Sequence, residues 1–201
     1  MARRIGFKDL HIALVTTNTE TEYAASDPVK FMKAISGKTS TKRSSEKIYS
    51  DDTIEDIVSS FDGVDVEFEG DQLSHKTIAM IISACYESGF LVENKDDQAQ
   101  EVAIGYRAKM SNGKYEFIWY YCGKFDGDDE DDYETEGEKP SPKTKTVKGS
   151  FYARKKDGNY RIRVMEDELL ESHADAKAAI KNWFSEVQEK SGAGRSPVSS
   201  K

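Results

Sequence analysis

Ile104-Gly-Tyr-Arg-Ala-Lys-Met-Ser-Asn112-Gly113-Lys-Tyr-Glu-Phe-Ile-Trp-Tyr-Tyr121 is the stretch on which the fold turns. Two runs rich in aromatic and aliphatic residues flank one Asn-Gly pair. Asn-Gly tolerates the positive φ angles of the tight turn whose twist suits a β-hairpin. A two-residue loop there places Met110 opposite Tyr115, Ala108 opposite Phe117, Tyr106 opposite Trp119 and Ile104 opposite Tyr121. That face is apolar throughout, as a core hairpin requires. The reverse sets Lys109 opposite Glu116, a favourable cross-strand pair, and also carries Ile118 and Tyr120.

Two further Asx-Gly pairs extend the pattern outward. Asp62-Gly63 pairs Phe61 with Val64, Ser59 with Val66 and Ile57 with Phe68. Its reverse sets Ser60 against Asp65, Val58 against Glu67 and Asp56 against Glu69, an acidic face with like charges opposed. Asp157-Gly158 pairs Ala153 with Ile162 and Phe151 with Val164, and sets Arg154 against Arg161 and Tyr152 against Arg163, a basic face. Register follows from turn length, so these faces stand or fall with the two-residue loops.

Upstream, residues 11–15 and 29–35 read as strands. Residues 36–47, rich in Ser, Thr and Lys, are too polar for core and read as a flexible loop or an arm held by a partner. A helix is predicted from about His75 to Glu87, with Ser74 as N-cap, Gly89 beyond its end, and Leu73 and Ile78 at staple spacing. Its stripe is Ile78, Ile81, Ile82 and Cys85. A second, amphipathic helix lies within 173–190, from about Ala174 to Glu189, with Ala176, Ala179, Ile180, Trp183, Phe184 and Val187 on one face. Residues 191–201 read as a disordered tail. The expected class is mainly β: an antiparallel β-sandwich with a flanking α-helix and a C-terminal amphipathic helix, one domain over residues 1–190.

The 201 residues carry a net charge of −8, and residues 126–138 hold nine acids and no base. Without them the chain is at +1, so this acidic loop is the whole source of acidity. Asp126, Asp128 and Glu130 have calcium-loop spacing, but Asp131 stands where glycine is needed and Gly137 where glutamate is needed. Apolar runs such as residues 78–82 fall short of the roughly 17–25 needed to span a bilayer. The basic start is followed by too short an apolar run, residues 12–15, for an export signal. Cys85 and Cys122 sit among apolar residues and read as buried thiols of a reducing compartment. No phosphate loop, dinucleotide fingerprint, nucleophile elbow or zinc-protease motif occurs. His11, His75 and His173 are scattered, so no catalytic, cofactor-binding or metal residue is nominated.

Several short motifs together resemble one family. They are Gly6-Phe-Lys-Asp-Leu-His-Ile-Ala-Leu-Val-Thr-Thr with Tyr23 and Pro28-Val-Lys, then Glu46-Lys-Ile-Tyr-Ser-Asp-Asp and Gly63-Val-Asp-Val-Glu-Phe-Glu. Ile104-Gly-Tyr-Arg-Ala, Asn112-Gly-Lys-Tyr-Glu-Phe-Ile-Trp, Lys148-Gly-Ser-Phe-Tyr-Ala-Arg and Asp157-Gly-Asn-Tyr complete the set. Over about residues 6–165 the chain resembles the major tail proteins, or tail tube proteins, of long-tailed phages of Gram-positive bacteria. The acidic loop and the last helix lie outside the pattern.

The resemblance implies a structural virion protein without enzymatic activity or cofactor, made in the host cytoplasm. Its subunits form hexameric rings that stack into a tube through which DNA passes. Its partners are further copies of itself and the tape-measure, tail-terminator and distal tail proteins. On that view Asp65, Glu67 and Glu69 line the lumen, where carboxylates repel DNA and lysines would hold it. A solvated outer face, or a contact with a neighbour's basic hairpin, are the other readings of those carboxylates. Lys38, Lys42, Arg43, Arg154, Arg161 and Arg163 are the candidate inter-subunit residues. Other classes that fit the composition are a monomeric β-sandwich module binding carbohydrate or protein, and a small hydrolase with an unrecognised carboxylate pair.

Overall fold

A computed structural model describes residues 2–50, 53–127 and 143–190. In chain order the elements are β1 (Arg4–Asn18), β2 (Tyr23–Ala25), β3 (Val29–Lys30), β4 (Ala34–Ser50), β5 (Thr53–Gly70), α1 (His75–Ile82), β6 (Cys85–Glu87) and β7 (Phe90–Val92). They continue with β8 (Val102–Met110), β9 (Tyr115–Phe125), β10 (Lys145–Tyr152), β11 (Arg161–Met165) and α2 (Ala174–Lys181). The chain is mainly β. Among the described residues one nine-stranded antiparallel sheet runs β2-β1-β8-β9-β10-β5-β4, with β3 on β1 and β11 on β9.

The sheet folds over on itself. Phe68 of β5 packs on Phe7 of β1 and Tyr106 of β8, at ring centroid distances of 5.7 and 5.9 Å, although two strands, β9 and β10, separate β5 from β8 along the ladder. Between the two halves lie Leu10, Ile12, Val64, Val66, Phe68, Ile104, Ile118, Tyr120 and Phe151, all buried. α1 flanks this core. Ser74 caps it, its hydroxyl accepting from the Thr77 N–H, and Leu73, Ile78, Ile81 and Ile82 reach the same cluster. A second apolar layer covers the outer face of β1, β8 and β9, where Ala13, Ala103, Phe117 and Trp119 meet Trp183 from beyond α2. The Trp119 indole N–H donates to the Trp183 carbonyl at 2.9 Å.

Each predicted hairpin is corrected. At Asn112-Gly113 the loop has three residues: the Gly113 N–H donates to the Met110 carbonyl and the Met110 N–H to the Lys114 carbonyl. Only Gly113, at φ 82°, takes a positive angle there. One extra loop residue shifts the register by one and exchanges the faces. Ile118 and Tyr120 turn inward beside Tyr106 and Ile104, while Phe117 and Trp119 turn outward to the C-terminal segment. Glu116 lies opposite Ala108, not Lys109. Gly105, opposite Trp119, leaves room for the indole, since a Cβ there would stand 2.5 Å from it.

Asp62-Gly63 is no turn. β5 passes straight through it, and Asp62 is the additional residue of a bulge where Lys42 pairs with Gly63 and Arg43 with Phe61. Gly63 keeps a positive φ of 136°, so glycine served a bulge. The partner of β5 is β4, the polar segment that the sequence reading left open as loop or arm. At Asp157-Gly158 the loop is wider still, the Arg154 N–H donating to the Asn159 carbonyl. β10 and β11 therefore do not pair; they lie one after the other along β9.

Both helices are shorter than predicted. α1 ends at Ser83, φ 64°, and residues 85–92 form a hairpin turning on Ser88 and Gly89, both at positive φ. Cys85 is consequently exposed, whereas Cys122 is buried. Beyond Lys181 the chain descends in turns, with Trp183 N–H to Ile180 carbonyl and Ser185 N–H to Asn182 carbonyl. Residues 191–201 and 128–138 of the acidic loop lie outside the described residues.

Candidate functional site

β4 and β5 pair along nearly their whole length, from Ala34 opposite Gly70 to Ser50 opposite Thr53. Beyond the Asp62-Gly63 bulge they leave the body as a two-stranded arm, residues 43–50 and 53–61. One face of the arm continues the inward face of the body. It carries Arg43 and Phe61, Ser45 and Ser59, Lys47 and Ile57, then Tyr49 and Ile54. The other carries Ser44 and Ser60, Glu46 and Val58, Ile48 and Asp56. At the root, Phe61 stacks on Tyr160 at 4.4 Å. Farther out nothing covers it: Tyr49 is 63 % exposed, Ile57 54 %, Val58 52 % and Ile54 49 %. The Ser44 and Ser60 hydroxyls meet at 2.7 Å, and both donate to the Asp62 carboxylate.

The sequence offered an arm or a loop over residues 36–47 but not its pairing with residues 53–61, because both faces of the ribbon are open and no apolar alternation marks a strand. One signal was present. β4 is rich in lysine where β5 is rich in carboxylates, and opposite charges across a ladder favour pairing.

Asp65, Glu67 and Glu69 do share one face of β5, turned away from the core. They are not opposed by like charges. Glu67 lies between Lys38 of β4 and Lys148 of β10, and the Lys42 ammonium reaches Asp65 at 2.5 Å. Glu69 accepts from Ser36 and Thr144. Asp56 is far along the arm, opposite Ile48. Three carboxylates interleaved with three lysines make a mixed face, which removes the like-charge premise of the lumen expectation. Lys38, Lys42 and Arg43 are exposed.

The expected basic face does not exist. Arg154 is buried, its guanidinium paired with Asp157 at 2.6 Å and Glu189 at 2.8 Å, and stacked on the rings of Tyr23 and Tyr121. Its hydrogen bond holds the Asp157 carboxyl well below the usual carboxylate range. Its candidacy for inter-subunit contact is corrected accordingly, because its partners are all in its own chain. Arg161 is half-buried and donates to the Tyr120 hydroxyl. Arg163 and Arg4 together hold the buried Glu116, at 3.5 and 2.7 Å. Glu116 is turned inward by the corrected β8–β9 register, whereas Arg154, in the loop after β10, is buried by the partners that converge on it.

Burial pushes the Cys122 thiol up to about 12, with help from Glu101, so it has no thiolate character at neutral pH. Among the described residues no cluster of His, Cys, Asp or Glu could hold a metal ion, and no helix is long and apolar enough to cross a membrane. An open, charged groove lies on the Lys38, Asp65, Glu67 and Lys148 face. No known protein-family model matches the chain, and no curated protein resembles it at a significant level.

Proposed function

We propose that this chain is a self-assembling tube subunit, a phage tail tube protein whose copies form stacked hexameric rings. The arm over residues 43–50 and 53–61 is the observation that carries this reading. An isolated two-stranded ribbon is at best marginally stable in water, and this one holds Ile48, Tyr49, Ile54, Ile57 and Val58 exposed. Such a ribbon is built to be covered, and the far edge of β4, which pairs with no strand among the described residues, offers a long row of backbone groups of the kind that ring closure removes. The resemblance of the short motifs to those of tail tube proteins is what suggests the family, the hexamer, and the passage of DNA through the tube in the virion. The tape-measure, terminator and distal tail partners belong to that same reading. A lumen role for Asp65, Glu67 and Glu69 is not carried forward, since their face is charge-balanced.

Negative-stain microscopy of the purified full chain over a range of concentrations is the test. Rings or tubes are expected, with amide exchange in residues 43–50 and 53–61 fast in the separated subunit and slow in the assembly. A chain that stays monomeric at high concentration, with no such protection, overturns the reading in favour of a monomeric binding module.

A further inference from the structure

The β6–β7 hairpin is a second unpartnered apolar ribbon. Phe90 is 72 % exposed and Val92 59 %, and they share one face with Cys85 and Glu87. Its surroundings are acidic, with Glu87, Glu93, Asp96 and Asp97 against a single Lys95. The inward-continuing face of the arm has the complementary character: Tyr49, Ile54 and Ile57 beside Arg43 and Lys47. The opposite face of the arm carries Glu46 and Asp56 instead. Only one arm face therefore matches the hairpin in both apolarity and charge.

Within one chain the two ribbons are kept apart. α1 and β6–β7 follow the Gly70 end of β5, and the arm tip is at its Thr53 end. Eighteen residues of strand separate those ends by roughly 55 Å. We infer that the arm of one copy seats on the β6–β7 hairpin of a second copy, with Tyr49, Ile54 and Ile57 over Phe90 and Val92 and with Lys47 and Arg43 toward Glu87. The contact is head-to-tail. Each copy offers one arm and one hairpin, so a closed ring or a continuing stack leaves neither uncovered. This inference rests on the tube-subunit reading and specifies which surfaces meet.

Cys85 lies on that hairpin face and is exposed, while Cys122 is buried, so the native chain carries one usable thiol. The experiment places a second on the arm of the full chain, as Ile57→Cys, and oxidises the assembled protein under air with copper phenanthroline. A ladder of disulfide-linked multimers is expected on non-reducing gels. It should vanish when Cys85→Ser is added, and should not form with Val58→Cys on the opposite arm face. Lys47→Glu should raise the concentration needed for assembly severalfold, and adding Glu87→Lys should restore it. A ladder that survives Cys85→Ser, or its absence from chains that microscopy shows to be assembled, overturns the pairing while leaving the tube reading intact. Failure of the wild-type chain to assemble at all overturns both.

Discussion

Strands β4 and β5 stay paired with each other through two environments. In the body, Val64, Val66 and Phe68 are at most 2 % exposed, whereas in the arm Ile54, Ile57 and Val58 are about half exposed. The β4–β5 ladder is the same in both, although in the body β5 is also paired along its other edge by β10. Fully burying a side chain of this size is worth about 1.5–3 kcal/mol, so the body is held by its packing while the arm holds only through continuity with the body. Hydrogen-bonded strand pairing therefore says little about where stability resides. An element can be regular in structure and still depend on a partner for most of its free energy.

The largest test of that contrast is Phe68→Ala. Its ring contacts Phe7 and Tyr106, and loss of a buried phenylalanine costs about 3–5 kcal/mol; urea unfolding should show it, against almost nothing for Ile57→Ala in the separated subunit. An equal loss at the two sites would break the comparison.

Next comes Arg154→Ala, which strands Asp157 and Glu189 beside Tyr23 and Tyr121 and should cost about 3 kcal/mol. Asp157 titrates below its unfolded value in the folded chain, because of Arg154. Its stabilising share is thus complete above the unfolded carboxylate range and is lost as pH falls through the folded value. The wild type should lose stability on acidification more steeply than the Arg154→Ala chain, as unfolding midpoints taken from about pH 5 down to about pH 2 would reveal.

Gly63→Ala probes the junction itself. The positive φ and a Cβ placed 3.0 Å from the Phe151 carbonyl predict a loss of about 1–3 kcal/mol, together with altered exchange at the root of the arm. The smallest effect belongs to the Lys42–Asp65 pair. With side chains 60 % and 45 % exposed, a double-mutant cycle should return only about 0.2–1 kcal/mol, shrinking with salt. A larger coupling would mean that this outer face is far less solvated than its exposure implies.

Local chemistry was legible in the sequence wherever a single residue decides the backbone. Ser74 caps α1, and Gly63, Gly113 and Gly158 all take positive φ angles. The mainly β character followed from the short apolar runs between them, and Cys122 is buried as expected. What each glycine serves was not legible. Asx-Gly permits a two-residue turn, a three-residue turn, a wider loop or a bulge at similar local cost, and burial of distant side chains selects among them. Trp119 faces outward because Trp183, sixty-four residues on, is there to cover it. Arg154 is buried because Asp157 and Glu189 converge on it. The pairing of the arm's two strands stayed hidden for the opposite reason, since the arm has no burial of its own to imprint a pattern. Sequence by itself determined the class, the helix cap and the places where the backbone must bend; only the tertiary structure decided partners and register. Turn chemistry acts over a few residues, and packing compares surfaces that the chain brings together only once it has folded.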